Sequence, residues 1–260
     1  MHPISWLSED AIYAGLGLDS GNFILELVEL TGSTNSDLLK RSDSFDLDDR
    51  TVVRVAEIQT TGRGRRSRKW ISGVADSLTF SCLKSLNLKS SQLSGLSLAV
   101  GVGVVRALIA LGGANFCLKW PNDIIKNGKK IGGVLIEIGE TRGNTVSVVI
   151  GIGLNIRQTN NFYKNNSLAA ADLFGNGIRA DRNQILVCLL IELKKIMETF
   201  VDGGFLSFRR EWEKMHQYHG SKVDFVLSNG KKKEGMVRGV DSRGALLIER
   251  FGEVRKYTAG

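Results

Sequence analysis

The chain has 260 residues, room for one or two domains at about 150 residues each and enough to bury a core without staples. Hydrophobic residues make up 42% and charged residues 24%, and two prolines with no biased repeat exclude a collagen-like or disordered chain. Thirty-five Lys and Arg against 27 Asp and Glu give a net charge of +8, which favours anionic partners such as nucleotides, nucleic acid or acidic protein surfaces.

In chain order, FILELVEL (23–30) reads as a strand and TNSDLLKR (34–41) as a short helix with Thr34 as its N-cap. TVVRVAEIQ (51–59) is a β-branched strand, and TTGRGRRSRKW (60–70) has no periodicity and reads as a loop. SLTFSCLK (77–84) is a strand. The stretch from Ser90 to Leu118 carries one charge, Arg106, but Gly and Ser break it. An arginine at the centre of a membrane span costs about 2.5–3.5 kcal/mol, so a buried helix over roughly 93–112 is expected and no membrane span.

FCLKW (116–120) reads as a strand, PND (121–123) as a turn and Asn127-Gly128 as a hairpin turn. KIGGVLIEI (130–138) and TVSVVIGIGLNI (145–156) read as adjacent strands. An Asn-rich loop (157–167) follows, then a helix capped by Asp181 and running to about Phe200, then a second over 205–216. From Gly220 onward, short strands between turns predict a small β-barrel. The expected fold is α+β, a mixed sheet packed with helices, with domains over 1–218 and 219–260.

Cys82, Cys117 and Cys188 sit in apolar settings without paired spacing, which predicts buried inert thiols and no zinc site. The histidines are His2, His216 and His219, so no HExxH helix exists and no metal ligands are expected. MHPISWLSED has no basic n-region or long apolar core, and a cytoplasmic protein is expected.

Four segments carry chemistry. GRGRRSRKW places Arg63, Arg65, Arg66, Arg68 and Lys69 within seven residues. Charge repulsion keeps such a loop open unless an anion neutralises it, its glycines let backbone approach a phosphate, and Trp70 offers a ring for stacking. A solvated basic loop or a nucleic-acid patch is the simpler reading of that composition. Gly62-x-Gly64-x-x-Ser67 nearly matches a dinucleotide fingerprint, but no helix follows it. KWPND (119–123) with KKIGG (129–133) puts Lys119 and Lys130 at strand ends, where both can face one cleft; the plain alternative is an exposed turn. Ser33-Thr34-Asn35 can bind a polar head group or simply cap a helix. Asn155 in GIGLN can read a base edge or end a strand.

Taken together, STN, Q-x-x-GRGRR-x-R-x-W, KWPND, K-I-x-G-V-L-I-E and GIGLN resemble the signature set of biotin protein ligases. The resemblance runs from about Leu25 to the C-terminal end, where GALLIE (244–249) is similar to the family's small SH3-like barrel. It implies a class II synthetase-like catalytic domain that joins biotin and ATP into biotinyl-5′-AMP, releases pyrophosphate, and passes biotin to a lysine of the biotin carboxyl carrier domain of acetyl-CoA carboxylase.

By the same resemblance, Ser33, Thr34, Asn35 and Gln59 line the biotin head-group pocket. Gly62, Arg63, Gly64 and Arg65 close over the biotin tail and the phosphates, and Lys130 stands at the biotin carboxyl and α-phosphate. Trp70, Lys119, Asn122 and Asn155 fall on the nucleotide side; Lys130 and Arg65 are the expected catalytic pair. Mg²⁺ accompanies ATP, and a homodimer is compatible with the family. Ser67 stands where the family usually has Gly. No winged-helix domain is expected before Ser33, hence no DNA-binding repressor role, and the chain stops at KYTAG where the family usually has one more strand. A lipoate or octanoate ligase and a nucleic-acid-binding protein are the competing readings. Without residues 63–69 the net charge falls to +3, which fits a localised phosphate site better than a broad nucleic-acid surface.

Overall fold

The computed structural model describes residues 6–43, 49–157, 171–226, 230 and 232–258. Helix α1 (Glu9–Leu16) precedes strand β1 (Phe23–Thr31), helix α2 (Thr34–Lys40), and strands β2 (Thr51–Gln59) and β3 (Ser77–Leu86). Helix α3 (Leu96–Ala110) then leads to four strands: β4 (Phe116–Lys119), β5 (Asp123–Lys126), β6 (Lys129–Arg142) and β7 (Thr145–Asn155). Helices α4 (Arg182–Gly203) and α5 (Arg209–Met215) follow.

The seven strands form one sheet in the order β1-β2-β3-β7-β6-β5-β4, parallel only between β1 and β2. Period-two alternation divides its faces. Leu78, Phe80 and Cys82 of β3, with Val146, Val148, Ile150, Ile152 and Leu154 of β7, enter the main core beneath α3 and α4. Thr79, Ser81, Gly151 and Gly153 take the opposite face. Helix α3 is apolar on nearly all sides because sheet and α4 enclose it, and each buried Val or Leu contributes roughly 1.5–3 kcal/mol. No helix among the described residues is long and apolar enough to cross a membrane.

Helix α2 packs on the second face through a small cluster of Leu38, Val52, Leu83 and Val149. Charge fixes its position. Arg54 donates to Asp37 at 2.8 Å and to Glu26 at 2.9 Å, and Arg41 donates to Glu26 at 2.7 Å. Burial opposes ionisation of Glu26, yet the hydrogen bonds and charges of Arg41 and Arg54 outweigh it and hold the carboxyl below its usual range.

Strands β8 (Lys222–Val226), β9 (Lys232–Val240), β10 (Leu246–Arg250) and β11 (Glu253–Tyr257) form a separate antiparallel sheet in the order β11-β10-β9-β8. It docks on the main layer through α5. Val240 N–H donates to Glu213 at 3.1 Å, and Trp120 Nε1 donates to Gly244 O at 3.0 Å.

His216 stacks on Trp212 at 4.5 Å between ring centroids and is 6% exposed. Burial, and secondarily the charge of His219, lower its pKa to about 4. An unfolded histidine titrates near 6.5, so the unfolded chain takes up this proton first as pH falls. Stability is fully present above about pH 6.5 and drops by on the order of 3 kcal/mol by pH 4. Urea titrations across that range are expected to show the fall, and His216→Phe, which keeps the stack, is expected to lose that part of it.

Several sequence expectations are corrected. The N-cap of α2 is Ser33, whose Oγ accepts from Ser36 N–H, and Thr34 is the first helical residue. Asp123 begins a strand instead of ending a turn, because it pairs with Gly133. The buried helix spans 96–110, its start set by Gly95 in a left-handed conformation. The helix expected over 205–216 is helical only from Arg209, after a short 3₁₀ turn at Gly204–Ser207. Of the loop 157–167, all but Arg157 lies outside the described residues.

Candidate active site

A cross-strand row runs over the second face of the sheet: Lys119, Asp123, Gly133, Gly153, Thr79 and Ala56. The next row holds Arg54, Ser81, Gly151 and Leu135. Small residues at the centre of both rows leave a shallow floor. Two close approaches explain the glycines of GIGLN. A Cβ on Gly151 would lie 2.1 Å from Asn35 Oδ1, and one on Gly153 would lie 2.7 Å from the Trp70 ring.

At one end of the floor, the first turn of α2 places Ser33, Thr34 and Asn35 against the sheet, each at most 4% exposed. Thr34 N–H donates to Gln59 Oε1 at 2.8 Å. Thr34 Oγ1 lies 3.2 Å from that oxygen and 2.7 Å from Ser81 Oγ. Ser81 Oγ donates to Asn35 Oδ1, and Asn35 Nδ2 donates to Glu137 Oε2 at 2.9 Å.

The basic loop arches over the middle. Trp70 N–H donates to Gly62 O at 2.8 Å and Gly64 N–H to Arg68 O at 2.7 Å, so the base of the loop closes like a hairpin. Arg63 pairs with Glu137 on the floor. At the tip, Arg66 and Ser67 both have positive φ, +55° and +59°. This left-handed region favours glycine and strains a serine. Burial, and then repulsion from Arg66 and Arg68, lower the pKa of Arg65 against the attraction of Asp123. An anion at the tip would relieve this repulsion.

Lys130 Nζ lies 2.5 Å from Asp123 Oδ1 and 5.8 Å from the Trp70 ring centroid, beside the floor at Gly133. Lys119 starts in the same row, but its Nζ sits 5.9 Å over the Tyr218 ring, at the sheet edge. Asn122 Nδ2 donates to Val134 O at 2.8 Å, and Asn155 Nδ2 donates to Ala171 O at 3.0 Å. A cavity of about 580 Å³ opens between the loop tip and the C-terminal sheet, lined by Arg65, Leu135, Trp120, Gly244 and Lys256 among others.

The structure thus gathers Ser33, Thr34, Asn35, Gln59, Gly62, Arg63, Trp70 and Lys130 around one floor. Arg65 and Gly64 stand at the loop tip, Asn122 and Asn155 shape adjoining backbone, and Lys119 turns to the rim. Sequence reading left two participants without a role. Ser81 shows itself only as a polar residue in the alternation of β3. Glu137 is the last letter of the K-x-x-G-x-L-x-E motif and contacts residues far away in sequence.

Residues 27–155 match the family model described as the biotin/lipoate A/B protein ligase family. The chain is 34% identical to a biotin–[acetyl-CoA-carboxylase] ligase of Mycobacterium tuberculosis, over 94% of this chain and 90% of that protein. It is 32% identical to the bifunctional ligase/repressor BirA of Salmonella typhimurium, over 99% of this chain and 78% of that protein. Among solved structures, a biotin protein ligase from Aquifex aeolicus in complex with biotin and ATP superposes with a TM-score of 0.75. The two share 28% identity over 91% of this chain and 96% of that chain.

Proposed function

The chain belongs to the biotin protein ligase family, and from that premise we propose how its own residues carry the two half-reactions. It is an ATP-dependent ligase that activates biotin as biotinyl-5′-AMP and transfers it to a carrier protein. The observation that supports the residue assignments most is the shared floor: a polar shelf at α2, Lys130 in the middle, and an arch of cations above.

In this reading the biotin head lies on Ser33, Thr34, Asn35 and Gln59, and its tail runs under Gly62, Arg63 and Gly64. The carboxylate then meets the α-phosphate at Lys130. Two anions must approach each other there, and fixed cations in a site screened from water lower that barrier most. Lys130 bridges the attacking oxygen and the phosphoryl oxygens, while Arg65 at the loop tip holds charge on the phosphates. Trp70 already covers Gly153, and its ring with Asn122 and Asn155 bounds the nucleotide side; Lys119 reaches it from the rim. Mg²⁺ bound to the ATP phosphates would supply further neutralisation of their charge, beside the cations that Lys130 and Arg65 provide. The acceptor is the biotin carboxyl carrier domain, whose lysine enters from the open cavity side. Residues 1–218 form the catalytic unit and 219–260 the small unit, and the open edge of β6 beyond Gly133 is where a second copy would pair.

Arg65→Ala is expected to release biotinyl-AMP about tenfold faster, the cost of one charge-assisted hydrogen bond. A filter-binding off-rate equal to the wild type's would remove Arg65 from this role. The reading as a whole is tested by incubating the chain with apo carrier domain, biotin and MgATP. One biotin on one carrier lysine, found by peptide mass, supports it; an unmodified carrier alongside accumulating biotinyl-AMP would refute the acceptor.

A further inference from the structure

Glu137 is a carboxylate in a cleft whose substrates are anions, and an unneutralised negative charge there would repel them. Its place is explained by what it holds. It pairs with Arg63 and accepts from Asn35 Nδ2 at 2.9 Å. The other loop cations, Arg65, Arg66, Arg68 and Lys69, form no ion pair among the described residues. The loop therefore commits one charge to the floor and keeps four for phosphates.

The pairing has a directional consequence. A carboxylate only accepts, so Asn35 must turn its amide nitrogen to Glu137 and its Oδ1 to Ser81. Ser81 then spends its single proton on Asn35. The Thr34 proton has two acceptors in reach, Gln59 Oε1 at 3.2 Å and Ser81 Oγ at 2.7 Å, and it goes to the shorter contact, which Ser81 has no proton left to fill. With that proton committed, Thr34 Oγ1 has only lone pairs left to offer a ligand, and Gln59 Oε1 is satisfied by Thr34 N–H at 2.8 Å.

We propose that Glu137 is a positioning residue that sets the direction of this hydrogen-bond relay, so that Thr34 selects a ligand presenting an N–H group. The proposal rests on the biotin ligase reading and deepens it, since the ureido ring of biotin carries two N–H donors. Glu137→Gln keeps the shape and supplies a donor, which lets the Asn35 amide flip and the relay run backwards. Thr34 then offers a proton where the ligand also offers one.

Calorimetric binding of biotin, and of the two biotins methylated at one or other ureido nitrogen, to the full chain tests this. The wild type is expected to prefer biotin over the more strongly rejected methyl isomer. Glu137→Gln is expected to weaken biotin about tenfold and to narrow that preference by a similar factor. Ser81→Ala, a small change that breaks the relay in its middle, is expected to narrow it as well. Equal weakening of all three ligands with an unchanged preference would mark Glu137 as merely structural and overturn the proposal, as would wild-type affinity and preference in both variants. Failure of the wild type to bind biotin at all would instead bring down the ligase reading beneath it.

Discussion

Replacing Lys130 by Ala is expected to slow formation of biotinyl-AMP by about 10²–10³-fold, the loss seen when one preorganised charge or donor at a reacting centre is removed. Lys130 is the cation nearest the middle of the floor, 2.5 Å from Asp123 and beside Gly133. Its Nζ shares the cleft with the Trp70 ring at 5.8 Å. Without it, the biotin carboxylate and the α-phosphate meet under the loop cations alone, and at the loop tip Arg65 is already repelled by Arg66 and Arg68. The side chain is 39% exposed, so its truncation creates no buried cavity and the fold is expected to survive. Pyrophosphate exchange at saturating biotin and ATP measures the effect. A rate within threefold of the wild type would take the role away from Lys130.

Arg182→Met is expected to destabilise the chain by about 3–5 kcal/mol, the cost of leaving one member of a buried ion pair alone. Arg182 opens α4 and is 2% exposed. It donates to both oxygens of Glu57 on β2, at 2.6 and 3.0 Å, and Glu57 also accepts from Leu7 N–H at 3.2 Å. Three distant segments meet at that carboxylate, and removal of the guanidinium strands it under α4. Urea unfolding followed by circular dichroism is expected to show a lowered midpoint with an unchanged slope. Adding Glu57→Gln to Arg182→Met is expected to restore part of the loss, because the stranded charge is then gone. A midpoint equal to the wild type's in Arg182→Met would show that the pair contributes nothing.

Where chemistry dictates residue type locally, the chain could be read directly. Loop 60–70 declared itself through its density of cations and glycines, and the alternation of β3 and β7 is visible because one face is fully buried. Helix α4 carries its own start signal, the Asp181–Gln184 capping box. Features set by distant neighbours leave no local signal. Thr34 was a plausible cap on local grounds, yet Ser33 takes that position and frees Thr34 to face Gln59 and Ser81. Asp123 reads as part of a Pro-Asn-Asp turn until Gly133 pairs with it across the sheet. Ser81 and Glu137 reach Asn35 from 46 and 102 residues away, a distance no local pattern spans. Lys119 shares the row of Asp123, and its Nζ lies over the Tyr218 ring at the rim, a neighbour 99 residues on that the sequence does not reveal.

The most direct measurement is ATP–pyrophosphate exchange by the purified chain with biotin, lipoate and octanoate offered in parallel. Exchange that depends on biotin and is absent with the other two acids is the predicted result. Exchange with lipoate or octanoate but not with biotin would keep the fold and contradict the substrate, and no exchange with any of the three would contradict the adenylation chemistry itself.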